Sequence, residues 1–112
     1  DLYDANASWE YRYFEFGILN LPNPAYTNAA HKNGALSLGC IFLPREGQYH
    51  SPMLEKDENG NFPVADKLAE MCEYYGFDGY FINQEETIAL EEVDLYKEFM
   101  VYLREKGVSV RL

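Results

Sequence analysis

The chain has 112 residues, enough for one domain with a modest core and too few for two. Hydrophobic residues make up 47% and charged residues 25%, an ordinary globular balance, while ten tyrosines and seven phenylalanines suit a core and a carbohydrate or peptide site equally well. A net charge of -10 repels phosphate backbones, the basic residues form no cluster for anionic lipid, and no apolar run nears the roughly 18 residues of a membrane span, so neither nucleic acid nor membrane is an expected partner.

In chain order, "SWEYRYFEFG" (residues 8–17) is rich in aromatics and ends at glycine, which reads as a strand. In "NPAYTNAAHKNG" (residues 23–34), Asn23 can cap a helix, Pro24 suits its first turn and Gly34 suits the position past its end. "ALSLGCIFLP" (residues 35–44) is nearly all apolar and reads as a strand buried on both faces. Residues 45–62 read as loop, with Asn59-Gly60 as a turn. Pro63 opens a second helix in which Val64, Leu68, Cys72 and Tyr75 recur at helical spacing with Met71 beside them, and Gly76 ends it. A strand over residues 77–83 follows. A third helix covers residues 91–106, with Val93, Tyr96, Phe99 and Leu103 on one face and Gly107 as its stop. "VSVRL" (residues 108–112) opens another strand that looks cut short.

Alternating strands and helices imply right-handed crossovers and a parallel sheet. The expected fold is α/β: a partial TIM (β/α)8 barrel of about four parallel strands, forming one domain over residues 1–112 that is an excerpt of a longer chain, since a full barrel needs about 250 residues. A small open three-layer sheet is the alternative, and both architectures place ligands at the carboxyl ends of strands. Cys40 and Cys72 lie in apolar periodic segments with no second metal ligand at useful spacing and no CxxC, so they read as buried free thiols.

The stretch "YYGFDGYFINQEE" (residues 74–86) is a strand that ends in polar groups. Side chains alternate along a strand, so Asn83 and Glu85 share a face with Gly79 and Phe81, and Gln84 and Glu86 take the other. Gly79 leaves room on the shared face. A carboxyl beside an amide suits glycosidic cleavage: Glu85, partly desolvated among aromatics, would have a raised pKa and protonate the leaving oxygen. A second carboxylate can then act as nucleophile, or the sugar's own 2-acetamido oxygen can attack, and the second route needs an acceptor such as Asn83 for the acetamide N–H. Against this stands the plain reading that loops after strands are polar and that Glu85 or Glu86 merely starts the next helix. His31 lies on the first helix and reads as a structural hydrogen-bonding group, and His50 has no second ligand nearby. The runs "EKDENG" and "ALEEVD" read as a solvated loop and a helix start.

The segment "YYGFDGYFINQEE" resembles the catalytic strand of glycoside hydrolase family 85, the endo-β-N-acetylglucosaminidases. "TNAAHKNG" (residues 27–34), "LGCIF" (residues 38–42) and "KDENGNFPVADKLAEM" (residues 56–71) resemble the same family in the same order, and the likeness covers roughly residues 9–106. It implies a (β/α)8 barrel that cuts between the two core N-acetylglucosamines of N-linked glycans. Glu85 takes the place of the general acid/base, and Asn83 that of the residue that steers the acetamido group during oxazolinium formation. Configuration is retained, transglycosylation can compete with water, and no metal or other cofactor takes part. Phe42 matches an aromatic that cradles the glycan; Tyr49 and Phe16 are further candidates.

The family's barrel continues well beyond this chain. The isolated 112 residues are therefore expected to be inactive and prone to self-association through open sheet edges. A non-catalytic sugar-binding or truncated inactive module of the same fold is the alternative reading. The family has secreted and cytosolic members, with the cytoplasm preferred here.

Overall fold

Proline and glycine punctuate the helices where the sequence places them. The computed structural model describes residues 19–43, 53–85 and 87–112, so the strand expected over residues 8–17 lies outside the described residues. Helix α1 (Pro24–Lys32) begins with Asn23, whose side chain accepts from the Tyr26 N–H at 3.0 Å. Helix α2 (Pro63–Tyr75) has Pro63 in its first turn and closes at Gly76. Gly76 sits in the left-handed region at φ 77° and donates its N–H to the Cys72 carbonyl at 2.8 Å. A short 3-10 turn, Leu90–Glu92, leads into α3 (Val93–Glu105), and Gly107 follows at φ 83°.

Four strands form one sheet in the order β1 (Leu19–Asn20), β2 (Leu38–Leu43), β3 (Gly79–Gln84), β4 (Ser109–Arg111). The pairs β2–β3 and β3–β4 are parallel, as the alternation of strands and helices implies. Of the about four parallel strands expected, three are present among the described residues. The fourth strand of the sheet, β1, is a two-residue segment that pairs antiparallel with β2 through Leu19↔Ile41 and Asn20↔Cys40. Nothing in its sequence marks it as a strand, because its only cue is a partner twenty or more residues away.

The two faces of the sheet differ. On one side Ile41, Leu43, Tyr80, Ile82 and Val110 are buried, and the helices pack there. Tyr80 donates its hydroxyl to the Leu68 carbonyl of α2 at 2.8 Å, and Tyr96 of α3 reaches Gln84 at the end of β3. Leu68, Met71, Phe99 and Leu103 fill the space between helices and sheet, each contributing about 1.5–3 kcal/mol on burial. Phe62 packs edge-on against Phe99 and Tyr102, with ring centroids 5.4 Å apart in both pairs.

The other side of the sheet carries Leu38, Cys40 and Phe42 from β2, which are half-buried, and Phe81 and Asn83 from β3, which are exposed. This corrects the expectation that β2 is buried on both faces: burial alternates along it, and only the helix side is sealed. Cys72 is a buried free thiol as expected, whereas Cys40, on the bare side, is only half-buried.

Gly79 also departs from its reading. A Cβ there would collide with the backbone carbonyl of Ser109 on β4, so the glycine permits close approach of two strands and does not open space for a ligand.

Candidate functional site

The carboxyl end of β3 is built from β2 outward. Register pairs Leu38 with Gly79, Cys40 with Phe81 and Phe42 with Asn83 on the bare side of the sheet. On the helix side it pairs Ile41 with Ile82 and Leu43 with Gln84. The Glu85 N–H donates to the Leu43 carbonyl at 2.9 Å, which carries the ladder one residue past the strand's end. Glu85 therefore keeps the extended alternation and falls on the side of Asn83. Both residues are exposed. Glu85 is thus not desolvated among aromatics in this chain, in contrast to the sequence expectation. Half-buried Phe42 stands beside Asn83, and Phe81 precedes it on the same face, 42% exposed.

A cavity of about 440 Å³ opens beside this strand end, and Phe81, Asn83, Gln84, Tyr96, Met100 and Leu112 are among its walls. Its surroundings are mostly apolar, and Asn83 brings an amide into it; Glu85 stands outside its lining. A larger cavity of about 900 Å³ lies at the opposite, amino ends of β3 and β4, beside Phe77, Asp78, Gly107 and Ser109. In a parallel α/β sheet ligands bind at the carboxyl ends of strands. The smaller cavity lies at that end, but Tyr96 and Met100 of α3 wall it, so it reaches to the helix side of the sheet and not to Phe42 on the bare face.

The amino end of β3 is held by a separate polar cluster. Asp78 accepts the Ser37 N–H at 2.7 Å and meets His31 Nε2 at 2.7 Å, while its own N–H donates to the Ser37 carbonyl at 2.8 Å. The hydroxyls of Thr27 and Ser37, both buried, lie 2.8 Å apart and tie α1 to the same point. Partial burial pushes the Asp78 carboxyl up, but the Ser37 N–H and His31 outweigh it and hold the group below the usual carboxylate range. His31 is accordingly the structural group its position on α1 suggests. At about 3.3 Å per residue, Asp78 stands on the order of 20 Å from Glu85, far beyond the roughly 5–10 Å that separates paired carboxyls in glycosidases.

Phe16, Tyr49 and His50 lie outside the described residues. Among the described residues no group of three or more His, Cys, Asp or Glu side chains is placed to hold a metal ion, and no helix is long and apolar enough to cross a membrane. Sequence reasoning passed over the Tyr96–Gln84 contact. The signal was available: a glutamine assigned to the helix-facing side of a buried strand needs a polar partner there.

Comparison with known proteins agrees with this architecture. The family model for glycosyl hydrolase family 85 matches residues 6–111. The chain is 32% identical over 103 residues to a cytosolic endo-beta-N-acetylglucosaminidase of Danio rerio, covering 88% of this chain and 14% of that protein. It is 35% identical over 94 residues to cytosolic endo-beta-N-acetylglucosaminidase 2 of Arabidopsis thaliana, covering 82% of this chain and 13% of that one. The crystal structure of the Endo-D glycoside hydrolase domain from Streptococcus pneumoniae superposes with a TM-score of 0.74 at 33% identity, over 87% of this chain and 17% of that structure. The chain thus spans about a seventh of the length of the curated relatives it matches.

Proposed function

The chain belongs to glycosyl hydrolase family 85, and from that premise we propose that it supplies part of the (β/α)8 barrel of an endo-β-N-acetylglucosaminidase acting on N-linked glycans. Helices on one side of a parallel sheet and none of the described helices on the other favour a barrel wall. A doubly wound sheet would cover both faces, whereas a barrel keeps its helices outside and closes the bare face around an interior. The names of the relatives supply the substrate class, and their cytosolic designation favours the cytoplasm.

In this reading Glu85 donates a proton to the oxygen linking the two core N-acetylglucosamines. The 2-acetamido carbonyl oxygen of the cleaved sugar attacks its own anomeric carbon as that bond breaks, giving an oxazolinium. Asn83 accepts the acetamide N–H and turns the carbonyl toward the reacting carbon. Water then attacks the anomeric carbon and gives its proton to Glu85, so that configuration is retained and the acid is restored. An acceptor hydroxyl in place of water yields transglycosylation. Asp78 is tied to His31 and Ser37 at the far end of the strand, so it does not serve as the nucleophile of a two-carboxylate mechanism.

The observation that carries this reading is the pairing of Asn83 with Phe42 on the bare face at the carboxyl end of β3, with Glu85 next in the ladder. The test uses the intact protein and a high-mannose glycopeptide. Glycan release that leaves a single N-acetylglucosamine on the peptide is expected, and Glu85→Gln should lower it by about 10²–10⁴-fold. Wild-type turnover in that variant would remove Glu85 from its role. Glycan binding without cleavage by the unaltered protein would favour a sugar-binding module.

A further inference from the structure

The tip of β3 is paired with β2 as far as Leu43↔Gln84 and on to the Glu85 N–H. At that tip Gln84 points away from Asn83, toward the helices, and the Tyr96 hydroxyl donates to its Oε1 at 3.0 Å. Tyr96 is 6% exposed and belongs to the first turns of α3, so its ring is packed and its hydroxyl is a fixed point.

A polar pair is a costly way to fill this position. An aliphatic side chain on the helix side of β3, like Ile82 one pleat earlier, would need no partner. What the hydrogen bond adds is direction. The peptide units on either side of Gln84 carry Asn83 and Glu85, so fixing the Gln84 side chain fixes the roll of the strand about its own axis. That roll sets where the Asn83 amide and the Glu85 carboxyl aim. A displacement of about 1 Å at a reacting group costs on the order of 100-fold in rate.

We propose that Tyr96 and Gln84 are positioning residues, a hydrogen-bonded tie from α3 that holds the tip of β3 so that Asn83 and Glu85 meet the scissile sugar together. The proposal rests on the catalytic reading of those two residues. It predicts a dependence of turnover on a side chain that touches no substrate and lies across the sheet from it.

Tyr96→Phe in the intact protein removes the donor and keeps the ring. Release of glycan from a high-mannose glycopeptide should lose about 10- to 100-fold in kcat with KM changed less than about threefold, and the melting temperature should stay within a few degrees of wild type. Gln84→Leu should lose a similar amount, and the double variant Tyr96→Phe/Gln84→Leu no more than the worse single, because all three lack the same bond. Wild-type kcat in Tyr96→Phe, losses that multiply in the double variant, or a kcat loss that follows a collapse in melting temperature would each overturn the tie. Glu85→Gln in parallel separates the two levels. If that variant is inactive while Tyr96→Phe turns over normally, positioning alone fails; if Glu85→Gln remains active, the catalytic assignment fails and the tie with it.

Discussion

Phe42 on β2 is the register partner of Asn83 on β3, so an aromatic ring and an amide stand side by side on the face that no described helix covers. A sugar laid against the ring would present its substituents to the amide. Truncation of the ring should therefore weaken substrate binding more than it slows chemistry. Phe42→Ala is expected to raise KM for the glycopeptide by about tenfold, with a smaller change in kcat. Steady-state kinetics and a thermal melt on the same preparation distinguish this from a packing role, in which the melting temperature would fall and the kinetic constants would hold.

If Asn83 steers the acetamido group as proposed, Asn83→Ala should separate the two halves of the reaction. Hydrolysis of glycopeptide should drop about 100-fold or more, the scale seen when a hydrogen-bonding group that acts in the transition state is removed. A preformed sugar oxazoline has already closed its ring and should still be transferred to an acceptor. The measurement is the ratio of the two rates. Equal losses in both would mean that Asn83 does not act on the acetamido group.

Gly79→Ala tests the close approach of β3 and β4. The added methyl meets the Ser109 backbone, which has no rotamer by which to escape, so the strands must part. Destabilisation of about 3 kcal/mol is expected, at the upper end for overpacking, read as a shift in the urea midpoint. A neutral substitution would show that the gap between the strands is wider than the structure gives.

Local grammar was legible in the sequence, and pairing across distance was not. Asn23 with Pro24, Pro63 with Gly76, and Gly107 delimit helices because caps and breakers act within a few residues. The alternation that groups Asn83 with Phe81 is equally local. The asymmetry of β2 was hidden because Leu38, Cys40 and Phe42 are as apolar as Ile41 and Leu43, and only the helices on one side distinguish them. The contact between Gly79 and Ser109 spans thirty residues, and the tie from Tyr96 to Gln84 joins a helix to a strand end. Both depend on register that no short window contains.

The Asp78 cluster should give the fold an acid-sensitive component. The Asp78 carboxyl is held below its usual range, so its ionised form is favoured in the folded chain relative to the unfolded one. That contribution is present above the ordinary Asp range, near pH 4, and is lost as pH falls through the lowered folded value. Asp78→Ala removes the bonds from Ser37 and His31 and should cost about 1–2 kcal/mol near neutrality, measured by urea denaturation. The difference between wild type and variant should shrink below about pH 4. A constant difference from pH 7 to pH 3 would place the effect in packing and not in charge.

Cys72 supplies the alkaline counterpart. Burial, at 7% exposure, pushes its thiol up to about 12, with the neighbouring Tyr80 hydroxyl acting the other way and a smaller rise from the Asp78 charge. Burial likewise pushes the Tyr80 hydroxyl up from its usual range. Groups whose folded values are raised stabilise the fold fully below their unfolded values, and that stability drains away as pH climbs through the folded ones. The unfolded thiol ionises near pH 8.5 and the phenol near 10. Stability should thus be flat from neutrality to about pH 8 and then decline steadily toward pH 12. The thiolate is the reactive species, so Cys72 should resist iodoacetamide at pH 8 until denaturant opens the core. Mass spectrometry of alkylated peptides across a urea series reads this directly: labelling of Cys72 should track global unfolding. Rapid modification under native conditions would show that the space between α2 and β3 opens without unfolding the chain.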